Sequence, residues 1–295
     1  MQAPVHEKAF LQAVLQLIKL ASTDLSPDVV DALRRATGAE ADDSPAREVL
    51  TLLLENIAVA REHATPICQD TGMCNFHVTL PVGVSLRQVE RLIQEATREA
   101  VRQALLRPNA VDAVTGKNSG DNVGILSPLI NFSEGDNETI QVRLMLKGGG
   151  SENVSCQYSL PQASLGAGRN LDGVYKCVVD AVTRAQGQGC APGIIGVGLG
   201  GDRVTGMIVA KKQLFRLLDD VNEMPALRDL ETELFRDLNT LGIGPMGFGG
   251  KTTVLGVKIG SAHRTPASFF VSIAYMCWAN RRRTMVFSGE EATYA

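Results

Sequence analysis

Apolar residues recur through positions 6–21 at Phe10, Leu11, Val14, Leu15, Leu17 and Ile18, which is one face of a helix. Ser26-Pro27 and Ser44-Pro45 each set a capping residue before a proline at the first helical position, and apolar periodicity follows both. Two more helices are expected there, the first stopped by Gly38. The opening 65 residues therefore read as a helical lobe. The pattern changes at Cys68-Gln69-Asp70-Thr71-Gly72, a polar turn reached through Pro66. After it, Asn75-Phe76-His77-Val78-Thr79-Leu80 alternates like a strand, with His77 read as structural.

Ser85-Leu86-Arg87-Gln88 has the form of a capping box and predicts a helix to about Leu106, with Arg107 at its C-terminal end. The polar, glycine-rich run 116–124 must be a loop. Alternation at Ile140, Val142, Leu144 and Leu146 predicts a strand that runs into Gly148-Gly149-Gly150. Further on, helices fit 171–186, 203–218 and 226–241, and strands fit 194–197, 253–260, 269–276 and 284–288. No internal repeat or low-complexity linker interrupts the chain. The expected fold is a single α/β domain over 1–295, of mixed α+β character. Its helical N-terminal lobe (about 1–65) would pack on mixed β-sheet layers with flanking helices (about 66–295).

Composition narrows the function classes. The 295 residues are 44% hydrophobic and 21% charged, with 29 basic and 32 acidic side chains and a net charge of −3. Such a balance gives no general attraction to nucleic acid or to an anionic membrane. The longest same-sign run is Arg281-Arg282-Arg283, read as a solvated face or as a patch for substrate or a partner chain. The N-terminus lacks the basic start and apolar core of a signal peptide, and no stretch has 18 apolar residues, so the expected location is cytoplasmic. In that reducing setting the six cysteines (68, 74, 156, 177, 190 and 277) are free thiols or metal ligands.

Two chemistries compete. Gly196-Val197-Gly198-Leu199-Gly200-Gly201 fits a dinucleotide-binding G-x-G-x-x-G, and Asp219 and Asp220 follow at about the ribose-binding distance. Against a nucleotide-dependent oxidoreductase, the preceding strand is short and the motif stands two thirds of the way along the chain. The other chemistry uses sulfur. Cys68, Cys190 and Cys277 sit where an element meets a glycine, proline or polar loop, whereas Cys177 lies inside a helix and reads as core. Three such thiolates could share one iron–sulfur cluster and leave an iron open as a Lewis acid, although spacing alone matches no local ligand rule.

Several blocks resemble a known family. Cys68-Gln69-Asp70-Thr71-Gly72, Lys147-Gly148-Gly149-Gly150-Ser151-Glu152-Asn153 and Cys190-Ala191-Pro192-Gly193-Ile194-Ile195-Gly196-Val197-Gly198 are similar to signature blocks of the iron–sulfur class I fumarases. So are Leu241-Gly242-Ile243-Gly244-Pro245 and Gly249-Gly250-Lys251-Thr252-Thr253, and the order matches from about 45 to 288. The chain resembles the α subunit of two-subunit fumarase and L(+)-tartrate dehydratase enzymes.

The resemblance implies a [4Fe-4S] cluster on Cys68, Cys190 and Cys277 and reversible hydration of a four-carbon dicarboxylate, fumarate/malate or tartrate. It implies substrate or proton-relay roles for Gln69 and Asp70 and a carboxylate clamp at Arg107. Backbone around Gly148, Gly149 and Gly150 would line the pocket. A separate β subunit would carry the rest of the active site in an oligomer. One departure concerns acid–base work: the family histidine falls at Thr265, and the nearest histidine is His263. Either the loop brings His263 to the site or the proton moves otherwise. A subunit that binds metabolites without turning them over is the third functional class.

Overall fold

The structure, a computed structural model, describes residues 5–295, so residues 1–4 of the expected N-terminal lobe lie outside the described residues. The described chain is mixed α/β, with helices α1 Glu7–Thr23, α2 Pro27–Ala39, α3 Pro45–His63, α4 Leu86–Arg102, α5 Gly149–Asn153, α6 Leu171–Ala185, α7 Arg203–Gln213 and α8 Pro225–Leu238. Its strands are β1 Met73–Pro81, β2 Leu129–Gly135, β3 Ile140–Lys147, β4 Cys156–Ser159, β5 Gly193–Leu199, β6 Val254–Ser261, β7 Phe270–Met276, β8 Arg281–Ser288 and β9 Glu291–Tyr294. They gather into two compact units. One holds the chain up to Ser26, Asn56–Gly148 and Arg281–Ala295; the other holds Pro27–Glu55 and Gly149–Asn280. This division does not follow a lobe boundary near residue 65. α1 belongs to the first unit, α2 to the second, and α3 runs from one into the other.

The first unit carries a sheet of order β2-β1-β3-β8-β9. β1 and β2 are parallel, which requires a crossover, and α4 lies in the connection. Ser85 caps α4 by accepting from the Gln88 N–H at 3.4 Å, as the capping pattern predicts. Alternation along β1 buries Cys74, Phe76, Val78 and Leu80, paired in register with Leu146, Leu144 and Val142 of β3 at the first three. Phe10 and Ile18 of α1 join Val89, Leu92 and Ile93 of α4 in this core, and Phe10 meets Phe287 edge-on with centroids 5.2 Å apart.

The arginine run is not a solvated face. Arg281, Arg282 and Arg283 open β8 and are all buried. Each has a partner: Arg281 donates to the Asp70 carbonyl (2.7 Å), Arg282 to the Ser26 hydroxyl (2.7 Å), and Arg283 to the Asp24 carboxylate (3.2 Å). A guanidinium is tolerated in an interior when it is hydrogen-bonded in this way.

The second unit carries a sheet of order β4-β7-β5-β6, with β5 and β6 parallel and β7 antiparallel to β4 and β5. Every residue of β5 is buried, as expected of a central strand covered on both faces. Helices α6 and α8 supply Val174, Val178, Val182, Leu230, Leu234 and Leu238 to its core. A polar cluster sits at its margin: Arg216 pairs with Asp220 (2.8 Å) and Glu231 (2.7 Å), and buried Lys258 pairs with Asp220 (2.6 Å). Among the described residues no helix is long and apolar enough to cross a membrane.

Candidate active site

In the first unit the Cys68–Gly72 turn stands where three strand ends meet. β1 begins at Met73 opposite Lys147, the last residue of β3, and Leu146 lies opposite Arg281, the first of β8. Gly72 adopts φ +79°, and a Cβ there would lie 2.9 Å from the Lys147 backbone, so the close approach of turn to strand requires glycine. Asp70 Oδ1 accepts from the Gly72 N–H at 3.0 Å, an Asx turn that orients an exposed carboxylate. Its other oxygen faces Gly148, where a Cβ would come within 2.6 Å. The chain thus brings Gln69, Asp70, Gly148 and Arg281 to one end of one sheet.

Arg107 also reaches this turn, by a different route from the one expected. α4 ends at Arg102, with Gln103 as its C-cap and Ala104 at φ +57°, so Arg107 lies in the following loop and is no helix-terminal cation. Its N–H donates to the buried Thr71 hydroxyl (3.0 Å), which also accepts from the Asn109 side chain (3.0 Å). The Asn122 side chain accepts from the N–H groups of Asn109 and Ala110 and donates to the Arg107 carbonyl (2.8 Å). The backbone of Arg107 is therefore fixed while its guanidinium stays exposed, 3.4 Å from the Gln69 carbonyl. Asn109 and Asn122 carry no signal as site-building residues in the sequence, and Thr71 stands in the polar turn without its role as acceptor for the Arg107 loop being legible there.

In the second unit Cys190 and Cys277 close the same end of the sheet. Ile194 of β5 pairs with Met276 of β7, so Cys277 directly after Met276 meets Cys190 just before β5. The Trp278 N–H donates to the Cys190 carbonyl at 3.2 Å and ties the two segments together, while the Trp278 side chain is buried. Cys190 holds φ +56°, which costs a non-glycine residue on the order of 1 kcal/mol. Its neighbours hold that conformation in place: the Ala191 carbonyl accepts from Met246 (2.8 Å) and Gly193 donates to the Thr253 carbonyl (2.9 Å). Tyr275 stands beside both thiols. Burial raises its phenol well above the usual range, and Cys277 and Cys190 add to the rise.

Cys190 and Cys277 of the second unit are soft sulfur donors of the kind a thiophilic group such as an iron–sulfur cluster takes. Cys190 is exposed, and Cys277 and Cys68 are half-buried. The other thiols are poor thiolates: burial pushes Cys74 and Cys177 up to about 12 and raises Cys156 as well. Cys68 belongs to the first unit and the other two to the second. Among the described residues no three His, Cys, Asp or Glu side chains are grouped as a metal site.

Other expectations are placed less favourably. Exposed His263 and Thr265 lie between the end of β6 and the start of β7, and the His263 carbonyl accepts from Gly201 beyond the end of β5. That is the opposite end of the strands from Cys190 and Cys277, about 20 Å away along seven residues. Gly149 has open space around it and Gly150 only ordinary contact, so the close approach is confined to Gly148. The G-x-G-x-x-G run serves packing instead of phosphate binding. Gly196 and Gly198 lie inside β5, where a Cβ would strike the carbonyls of Ala210 and Gly206 on α7. Asp202 caps α7 through the Thr205 N–H (2.6 Å), and Asp220 is held by Arg216 and Lys258.

Comparison with known proteins agrees with the residue blocks. A protein from Geobacillus stearothermophilus named "Putative fumarate hydratase class I" is 50% identical over 274 residues, which are 92% of this chain and 53% of that protein. The chain thus spans about half the length of that relative. "Putative L(+)-tartrate dehydratase subunit alpha" of Methanocaldococcus jannaschii is 33% identical over 91% of this chain and 94% of its own length. L(+)-tartrate dehydratase subunit alpha of Escherichia coli (strain K12) is 30% identical over 93% and 89%. The family profile described as Fumarate hydratase (Fumerase) matches residues 11–286, and the chain belongs to that family.

Proposed function

We propose that this chain is the α subunit of a hydro-lyase that adds water to, or removes it from, a four-carbon dicarboxylate. Cys68, Cys190 and Cys277 would hold a [4Fe-4S] cluster; Cys68 enters the set through the resemblance of its Cys-Gln-Asp-Thr-Gly block. When bound, a cluster with three protein ligands supplies an iron with an open position, a Lewis acid for a substrate hydroxyl and carboxylate. The meeting of Cys190 and Cys277 at one strand end, tied by Trp278, is the observation that carries the reading.

The remaining roles fall to the chain's own groups. The exposed Asp70 carboxylate, oriented through Oδ1 by the Gly72 N–H, is assigned proton transfer. Arg107 presents a planar fork to a substrate carboxylate from an immobilised backbone, and the Gln69 amide orients the substrate beside it. Gly148, Gly149 and Gly150 form the pocket wall. His263 is left out of the assignment because of its distance along the strands from the thiol pair.

A separate β subunit is assigned the rest of the active site. The chain spans 94% and 89% of the two relatives named as α subunits and only 53% of the fumarate hydratase relative. Fumarate/malate is the first substrate reading, on the 50% identity. L(+)-tartrate is the second, favoured by that α-subunit span. The test is anaerobic iron–sulfur reconstitution with a β partner and an assay against fumarate, mesaconate and tartrate. Turnover of one of them is expected. An iron-loaded complex that turns over none would leave a metabolite-binding subunit, and NAD binding would revive the oxidoreductase.

A further inference from the structure

Tyr275 is 2% exposed, and its hydroxyl has no hydrogen-bond partner among the described residues. An unsatisfied buried hydroxyl destabilises the fold, and phenylalanine would fill the same space without that cost. The ring is also deliberately accommodated. A Cβ on Gly189 would stand 2.8 Å from its Cδ1, and one on Gly193 would stand 2.5 Å from the hydroxyl oxygen. These two glycines flank Cys190-Ala191-Pro192, so the phenol lies against the backbone that carries one thiol. Tyr275 also sits two residues before the other thiol, Cys277, on β7.

We propose that the Tyr275 hydroxyl donates its hydrogen bond to a sulfur of the iron–sulfur group held at Cys190 and Cys277, as a positioning residue that sets the electronic environment of that group. The inference rests on the cluster reading given above and deepens it. A hydrogen bond to cluster sulfur stabilises the more negative, reduced state and therefore raises the reduction potential. Ring size and packing stay unchanged in Tyr275→Phe, so the donor alone is removed.

The experiment uses the full-length chain, reconstituted anaerobically, as wild type, as Tyr275→Phe, and with 3-fluorotyrosine incorporated at position 275. Iron and sulfide content, the midpoint potential of one-electron reduction followed by electron paramagnetic resonance, and iron–sulfur stretching bands in H2O and D2O are measured. The expected result is equal iron content, a more negative midpoint in Tyr275→Phe, and a more positive one with the stronger fluorophenol donor. A D2O-sensitive stretching band should be present in wild type and lost in Tyr275→Phe. Identical potentials and bands across the three loaded proteins would overturn the inference while leaving the cluster intact. A wild-type chain that takes up no iron would overturn the cluster reading and this inference together. Should Tyr275→Phe load poorly, the fluorotyrosine shift and the wild-type isotope effect decide by themselves.

Discussion

Gly148 and Asp70 are fitted to each other: a single added carbon on Gly148 would lie 2.6 Å from the carboxylate oxygen Oδ2 of Asp70. Gly148→Ala must therefore move the carboxylate or the end of β3, with an overpacking cost of about 1–3 kcal/mol. Turnover by the αβ complex is expected to fall at least tenfold while iron content stays at the wild-type level. Parallel assays of activity, iron and urea unfolding check this; unchanged turnover would remove Asp70 from the chemistry.

Asp70→Asn separates chemistry from architecture. The amide oxygen of asparagine can still accept from the Gly72 N–H, so the turn survives. Loss of the titratable oxygen is expected to lower kcat by about 100-fold or more with little change in cluster content. A matched loss of iron and activity would make Asp70 a structural residue.

The cysteines should divide into two behaviours. Cys190→Ser is expected to abolish cluster uptake. Cys177→Ser puts a hydroxyl into a fully buried helix position, costs about 1–3 kcal/mol in stability, and leaves iron binding intact. Iron content and thermal unfolding of the two variants, taken side by side, distinguish these outcomes. Equal iron in both would contradict the ligand assignment.

Asp220 gives a pH signature. Burial alone would raise its carboxyl, but the hydrogen bonds and charges of Arg216 and Lys258 outweigh burial and hold it below the usual carboxylate range. A depressed carboxylate contributes stability above its unfolded value near 4, and the contribution is lost as pH falls through the lower folded value. Asp220→Asn leaves buried Lys258 without its anion and is expected to cost on the order of 3 kcal/mol at neutral pH. The gap in urea stability between wild type and variant should narrow below about pH 4. A gap independent of pH would mean that the ion pair does not matter.

Local signals announced most of the elements. The proline-led starts of α2 and α3, the Ser85 cap of α4 and the alternation of β1 and β3 all appear near the expected places. What escaped detection depends on distant partners. β2, β4 and β9 are short or half-exposed strands whose pairing supplies their order, and nothing in their own sequence marks them. The same holds for Glu40, whose carboxylate accepts from the N–H groups of Lys251 (2.8 Å) and Thr252 (2.9 Å) more than two hundred residues later. At the candidate site the reactive types stood out, namely Cys68, Asp70, Cys190 and Cys277. The supports did not: Asn109, Asn122 and Tyr275 matter through what lies against them in space.

The first sheet takes its strands from widely separated parts of the chain. β3 has β1 on one side and β8 on the other. During synthesis β1 and β3 leave the ribosome well before β8, so the outer edge of β3 stays open while about 130 further residues are made. The nascent chain must therefore keep that edge from pairing wrongly until β8 arrives, and a chain cut after Asn280 would leave it exposed.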